Sequence, residues 1–217
     1  MIMNTVQTGM LHTNCYLLGD EKLGEGILFD PGASTQKILD MIEQSGVKIK
    51  YIVLTHCHFD HVMAAPSIQD ATGAELMIHK EDAPYLTPEY VSRKGYIRET
   101  YKTPRIDRIL EDGDTITLGN ISIKVMNTPG HTRGSCVFML HDAERGDIML
   151  SGDTLFKDAC GRWDLEGGSQ ESMMESLRRL YAIEGDYAVF SGHGVPTTLQ
   201  AERENNPYMK MAVNGAK

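Results

Sequence analysis

The sequence predicts an α/β fold of two β-sheets with helices outside them. Short apolar runs bounded by turn residues read as buried strands, and stretches with apolar residues three and four apart read as amphipathic helices. The strand-like runs fall in two groups, each followed by helical stretches. Two stacked sheets with helices on their outer faces bury both kinds of apolar surface.

Taken in order, residues 1–30 read as a short β-meander. Cys15-Tyr16-Leu17-Leu18 and Gly26-Ile27-Leu28-Phe29 are strand-like, separated by the turn-rich Gly19-Asp20-Glu21-Lys22. Asp30-Pro31-Gly32 stops the second strand. Ser34 then opens a helix with Ile38, Leu39, Met41 and Ile42 on one face and Gly46 past its end. Tyr51-Ile52-Val53-Leu54 is a buried strand, a second helix covers Val62 to Ala71, and Leu76-Met77-Ile78-His79 is a further strand. Ile116-Thr117-Leu118, the Gly119-Asn120 turn and the alternating Ile121–Val125 make a hairpin. Val137–Leu140 and Ile148–Leu150 follow as strands. Ser169 to Ile183 is helical, with Met173, Leu177 and Leu180 as a core stripe. Tyr187–Phe190 is the last strand, and Thr197-x-x-Gln200 caps a final helix.

Between these groups the pattern becomes irregular. From residue 92 to Arg108 there are six basic residues against two acidic ones, in a chain whose net charge is −9. This stretch reads either as a solvated segment or as a flap for an anionic substrate.

Bulk composition narrows the function classes. At 217 residues and 41 % hydrophobic, the chain suits one domain with a sizeable core. Its acidic balance argues against nucleic acid or anionic membrane as a partner. No apolar run is long enough to span a bilayer, and the N-terminus has no basic region or apolar stretch of a secretory leader. Cys15, Cys57, Cys136 and Cys160 show no paired spacing, so reduced thiols in a cytoplasmic protein are expected.

The chemistry concentrates in Thr55-His56-Cys57-His58-Phe59-Asp60-His61. His56 and His58 are two apart, so in an extended segment they face one side, as two ligands of one ion must. If the chain then turns helical, Asp60 and His61 could reach a second ion. Cys57 points the opposite way and reads as packing. Three later positions have the same placement: His131 after the alternating strand, Asp153 after Ile148–Leu150, and His193 after Tyr187–Phe190, each next to glycine. Ligands from several strand ends converge only if those ends face one cleft.

Together, His56-x-His58-x-Asp60-His61, His131, Asp153 and His193 resemble the full ligand set of the metallo-β-lactamase superfamily. The resemblance covers nearly the whole chain and implies a four-layer αββα sandwich over residues 1–217. Asp30-Pro31-Gly32, Thr128-Pro129-Gly130-His131-Thr132, Ser151-Gly152-Asp153-Thr154 and Gly161-Arg162-Trp163-Asp164 resemble the glyoxalase II (hydroxyacylglutathione hydrolase) branch, most closely its short single-domain bacterial members. By that resemblance His56, His58 and His131 hold one metal, Asp60, His61 and His193 the other, and Asp153 bridges them. Asp60 and Asp153 are then the catalytic carboxylates. Asp30 reads either as a strand-ending turn residue or as the acceptor that orients a ligand imidazole.

The implied activity is hydrolysis of a small, anionic thioester such as S-lactoylglutathione. Two divalent ions sharing a water lower its pKa, the hydroxide attacks the carbonyl, and a thiolate leaves without a dedicated acid. Zinc is the first expectation, with iron or manganese also suited to imidazole and carboxylate ligands. A monomer or small homo-oligomer is expected. The C-terminal helical domain that contacts glutathione in full-length glyoxalase II has no counterpart here. The substrate-clamping lysine and tyrosine of that family align with Arg162 and Asp164; Arg162 is the expected holder of a substrate carboxylate, whereas Asp164 cannot replace the tyrosine. Two alternatives remain: a persulfide dioxygenase with one iron on His56, His131 and Asp153, and a non-catalytic, metal-stabilised binding protein.

Overall fold

Alternation along single strands decides how the layers stack. Cys15 and Leu17 face one apolar cluster, whereas Tyr16 and Leu18 between them face another, as the two-residue period of a strand requires. A strand buried on both faces must lie between two other layers. The computed structural model describes residues 1–93 and 101–215, with the backbone alone at 92 and 93.

The first sheet begins with an antiparallel meander of β1 (Ile2–Thr8), β2 (Thr13–Asp20) and β3 (Glu25–Phe29). After α1 (Thr35–Ser45), β4 (Lys48–Val53) pairs parallel to β3. Two short helices, α2 (Phe59–Val62) and α3 (Ala65–Thr72), lead to the parallel β5 (Glu75–His79). A 3₁₀ turn and α4 (Pro88–Arg93) precede β6 (Ile106–Leu110), which completes the order β1-β2-β3-β4-β5-β6.

The second sheet is built from the antiparallel β7 (Thr115–Leu118), β8 (Ile121–Asn127), β9 (Cys136–Asp142) and β10 (Gly146–Gly152). A small hairpin, β11 (Leu155–Phe156) with β12 (Ala159–Cys160), and α5 (Gln170–Tyr181) follow. Then β13 (Ala188–Ser191) pairs parallel to β10 and β14 (Thr197–Thr198) closes the edge, before α6 (Leu199–Asn205) and α7 (Pro207–Asn214).

Three apolar clusters hold four layers together. Ile38, Met41, Val62, Ile68 and Val91 from the first helices cover Leu17, Leu28, Ile52 and Leu76. Between the sheets, Leu18, Ile27 and Phe29 meet Ile123, Phe138 and Leu150, with Phe29 edge-on to Phe138 at 5.2 Å. Met173, Leu177 and Leu180 of α5 pack with Leu199 and Met209 on Val137, Met149 and Val189. Each fully buried leucine there contributes about 2 kcal/mol. The stripe of α5 is core, as its spacing predicts, and the architecture is the expected αββα sandwich.

Three local expectations are corrected. The single helix expected from Val62 to Ala71 is two, broken at Ala64, whose N–H donates to Pro31 O (2.9 Å) and Gly32 O (3.0 Å) of the preceding loop instead of to its own helix. Thr198, not Thr197, caps α6: its Oγ1 accepts from Ala201 N, while Thr197 Oγ1 donates to Glu202. A further helix, α7, then begins behind Asn206. Finally, the basic stretch contains strand β6. Residues 94–100 lie outside the described residues; of the others, Lys102 pairs with Asp70, Arg105 with Asp107, and Arg108 donates to Thr115 O.

Candidate metal centre

The ends of β4, β8, β10 and β13 meet at one rim, and each brings ligand-type side chains. His56 follows β4; His58, extended at φ −67° and ψ 145°, is the N-cap of α2. The single turn of α2 then swings Asp60 and His61 round to the same side. His131 lies in a loop closed by Thr128 N–H on Ser135 O (2.7 Å) and Gly130 N–H on Thr132 O (3.0 Å). Asp153 and His193 follow β10 and β13. All but Asp60 and His193 are buried.

The side chains gather in three overlapping groups: His56 with His58 and His131, His56 with His61 and Asp153, and Asp60 with His61 and His193. Within each, the ligand atoms lie within 4.8 Å of one another. His58 Nδ1 is 2.8 Å from His131 Nε2, and His61 Nε2 is 3.3 Å from His193 Nε2. Asp153 spans them: Oδ1 lies 3.4 Å from His61 Nε2, and Oδ2 lies 3.4 Å from His131 Nε2 and 3.5 Å from His193 Nε2. Asp60 Oδ2 is 3.2 Å from His193 Nε2.

Hydrogen bonds behind the imidazoles assign their tautomers. His131 Nδ1 donates to Arg162 O (2.7 Å), His193 Nδ1 to Leu11 O (3.0 Å) and His61 Nδ1 to Asp30 Oδ2 (2.9 Å). His56 Nδ1 donates to Thr55 Oγ1 (3.0 Å), which itself donates to Asp30 Oδ2 (2.7 Å). All four therefore turn Nε2 to the centre, whereas His58 presents Nδ1. Carbonyl and carboxylate acceptors of this kind orient metal-binding imidazoles. His56 Nε2, His58 Nε2 and Asp153 Oδ1 are buried without a hydrogen-bond partner. Buried polar atoms left so are costly, and a divalent cation at the centre would satisfy His56 Nε2 and Asp153 Oδ1, with His58 turning its Nδ1 to it. These residues fit a metal centre.

The electrostatics differ across the cluster. Burial, reinforced by the neighbouring imidazoles, holds His56 well below the usual histidine range and lowers His58 to about 3. Burial also acts against charge on His61 and His193, yet the surrounding carboxylates outweigh it. Asp153, Asp60 and Asp30 raise His61 well above its ordinary value, and Asp153 and Asp60 bring His193 to about 9. Burial raises Asp60, but His61 and His193 overcome it and leave that carboxyl at about 2.

Known proteins are similar to this chain in sequence and fold. Residues 8–193 match the family model of the metallo-beta-lactamase superfamily. The chain belongs to that superfamily. The hydroxyacylglutathione hydrolase GloC of Haemophilus influenzae is 31 % identical over 206 residues, covering 90 % of this chain and 92 % of that protein. The crystal structure of BLEG-1, a B3 metallo-beta-lactamase, superposes with a TM-score of 0.86 at 27 % identity, covering 96 % of this chain and 99 % of that one. That of TTHA1623, in a di-iron-bound form, gives 0.81 at 32 % identity, covering 94 % and 99 %.

The cluster opens into a cavity of about 440 Å³, lined by Leu11, Phe59, Phe156, Leu165 and Arg162 besides the ligand-type residues. Arg162 reaches it, but its Nε and Nη2 both donate to Asp164, at 2.7 and 2.8 Å. Its backbone carbonyl, through His131, is its firm tie to the centre. Lys102, Arg105 and Arg108 do not line this cavity. Cys57 packs among the helix-side core residues, consistent with its reading as packing, and all four cysteines are free thiols. Among the described residues, no helix is long and apolar enough to cross a membrane.

Asp30, at φ 49°, accepts from His61 Nδ1 (2.9 Å) and from Thr55 N (2.7 Å). A left-handed, non-glycine residue at such a place is strain held by its surroundings. Several supports were not singled out in the sequence. Thr13 Oγ1 donates to Asp60 Oδ2 (2.9 Å), and Tyr16 Oη and Asn14 Nδ2 hold Ser191 O before His193. Gly192 packs so closely that a Cβ there would overlap Asp153 Oδ1 and His61 Cε1. Nothing local marks the polar residues, because every partner is distant in the chain.

Proposed function

We propose that this chain is a binuclear metal-dependent thioesterase, with His56, His58 and His131 holding one ion, Asp60, His61 and His193 the other, and Asp153 between them. Zinc is the first candidate, and S-lactoylglutathione the first substrate. The observation that carries this reading is the position of Asp153, whose two oxygens face ligand-type nitrogens of both sets. When bound, a pair of divalent ions supplies Lewis acidity and an acidified water.

The rest falls to the protein. Leu11, Phe59, Phe156 and Leu165 wall the cavity and exclude water from one side of a bound acyl group. Asp60 stays ionised at neutral pH, anchored by Thr13, and so has no proton to donate. Among the described residues that line the cavity, every titratable group except Arg162 belongs to the ligand set. No separate acid stands ready for an amine leaving group, whereas a thiolate, from a thiol of pKa about 8.5, departs unprotonated. That favours a thioester over an amide. Similarity to GloC points the same way.

Elemental analysis followed by turnover of S-lactoylglutathione and a panel of other thioesters tests this. Two divalent ions per chain and metal-dependent thioester cleavage are expected. One iron per chain, with oxygen uptake on glutathione persulfide, would replace the reading by a dioxygenase; tight metal binding with no turnover would replace it by a binding protein.

A further inference from the structure

We propose that Asp82 is a positioning residue for the His56–His58–His131 cluster, a buried carboxylate that joins its two ligand loops and sets that cluster's affinity for a divalent cation. The inference rests on the two-ion reading of the site.

Asp82 lies just beyond β5, in a turn closed by its own N–H on His79 O (3.0 Å), and is 1 % exposed. Its Oδ2 accepts from the backbone N–H of Cys57 at 2.9 Å, the peptide between His56 and His58. The same oxygen accepts from Thr132 Oγ1 at 2.7 Å, next to His131. Its Oδ1 accepts from Gly134 N at 2.8 Å, in the same loop as His131. One carboxylate therefore grips both loops whose imidazoles meet at 2.8 Å.

Its own loop does not account for such a residue. Burial raises its carboxyl, and only neutral donors answer it; no ion pair involves it among the described residues. An isolated buried anion is expensive. That cost makes sense beside a centre whose first cluster consists of imidazoles alone, since a cation there gains from negative charge placed behind its ligands. Asp30 occupies the equivalent place for His61. The centre thus has two buried carboxylates behind it: Asp82 on the two loops of the first set, and Asp30 on His61 directly and on His56 through Thr55.

Zinc affinity by chelator competition tests the assignment, with Asp82→Asn placed in two backgrounds. In His193→Ala, which retains the His56–His58–His131 cluster, zinc binding should weaken by about 10- to 100-fold, the range for partners that orient metal ligands. In His58→Ala, which retains the other set, it should not change. Equal weakening in both backgrounds would mean general support of the fold, and no weakening in either would remove Asp82 from the centre; both overturn the proposal. Circular dichroism of the metal-free variants checks folding. If Asp82→Asn does not fold, Thr132→Val removes one donor and keeps the carboxylate, and the same asymmetry, smaller in size, is required. A wild-type chain that takes up one zinc overturns the two-ion reading instead, and weakening of that single ion by Asp82→Asn still decides the role of Asp82.

Discussion

Two sets of imidazoles a few ångströms apart are prepared in opposite ways. His56 and His58 are held neutral by burial, whereas His61 and His193 are held protonated at neutral pH by Asp30, Asp60 and Asp153. The residue type is the same; the position of the carboxylates differs. A cation entering the first cluster meets neutral His56 and His58, and one entering the second must displace protons but gains the Asp60 charge. The lesson is that a two-ion centre of this kind need not be two copies of one site.

The largest expected effect comes from deleting one side of the contrast. Asp60→Ala or His193→Ala should lower thioester turnover by at least about 100-fold, since even partners behind a ligand cost 10–100-fold, while circular dichroism stays native. Near wild-type kcat/KM in either variant would break the comparison. Next, Asp30→Asn should weaken zinc binding by about 10- to 100-fold at the His61 set, which it touches directly, and less at the His56–His58–His131 set, which it reaches only through Thr55. Chelator competition reads both, and equal losses at both sets would show that the two halves share one support.

Proton release sharpens the contrast further. His193 titrates at about 9 and is therefore protonated below that pH in the metal-free protein. With His61, also raised, loading the second set at pH 7.5 should release about two protons, and the His193 contribution should vanish as pH rises through 9. The first set holds neutral His56 and His58 and should release no proton from either above pH 6.5. Calorimetry in buffers of different ionisation enthalpy measures the difference. The smallest effect concerns Arg162. Asp164→Ala frees its guanidinium from an exposed pair, so KM for a carboxylate-bearing thioester should fall about 2- to 5-fold, the scale of a surface ion pair, with kcat unchanged.

Much of the fold could be read along the chain. The hairpin of β7 and β8, the stripe of α5 and the strands that deliver His56, Asp153 and His193 all carry local periodicity. Other features did not. The break at Ala64 arises because a loop some thirty residues earlier takes its N–H. Strand β6 sets two charged residues, Asp107 and Arg108, side by side and owes its place to pairing with β5 from earlier in the chain, so along the sequence it reads only as part of an irregular basic stretch. Thr197 and Thr198 are equally good caps on paper, and Glu202 decides between them.

The amino-acid sequence by itself determined the chemistry available: five imidazoles and two carboxylates at strand ends, flanked by small residues, in an αββα pattern. Tertiary structure decided how that chemistry is tuned. Protonation of His61 against His58, the ligand atom of each ring, and the grip of Asp30 and Asp82 depend on carboxylates brought from elsewhere in the chain. Charge interactions and hydrogen bonds act over a few ångströms of space, and separation along the chain does not reveal them.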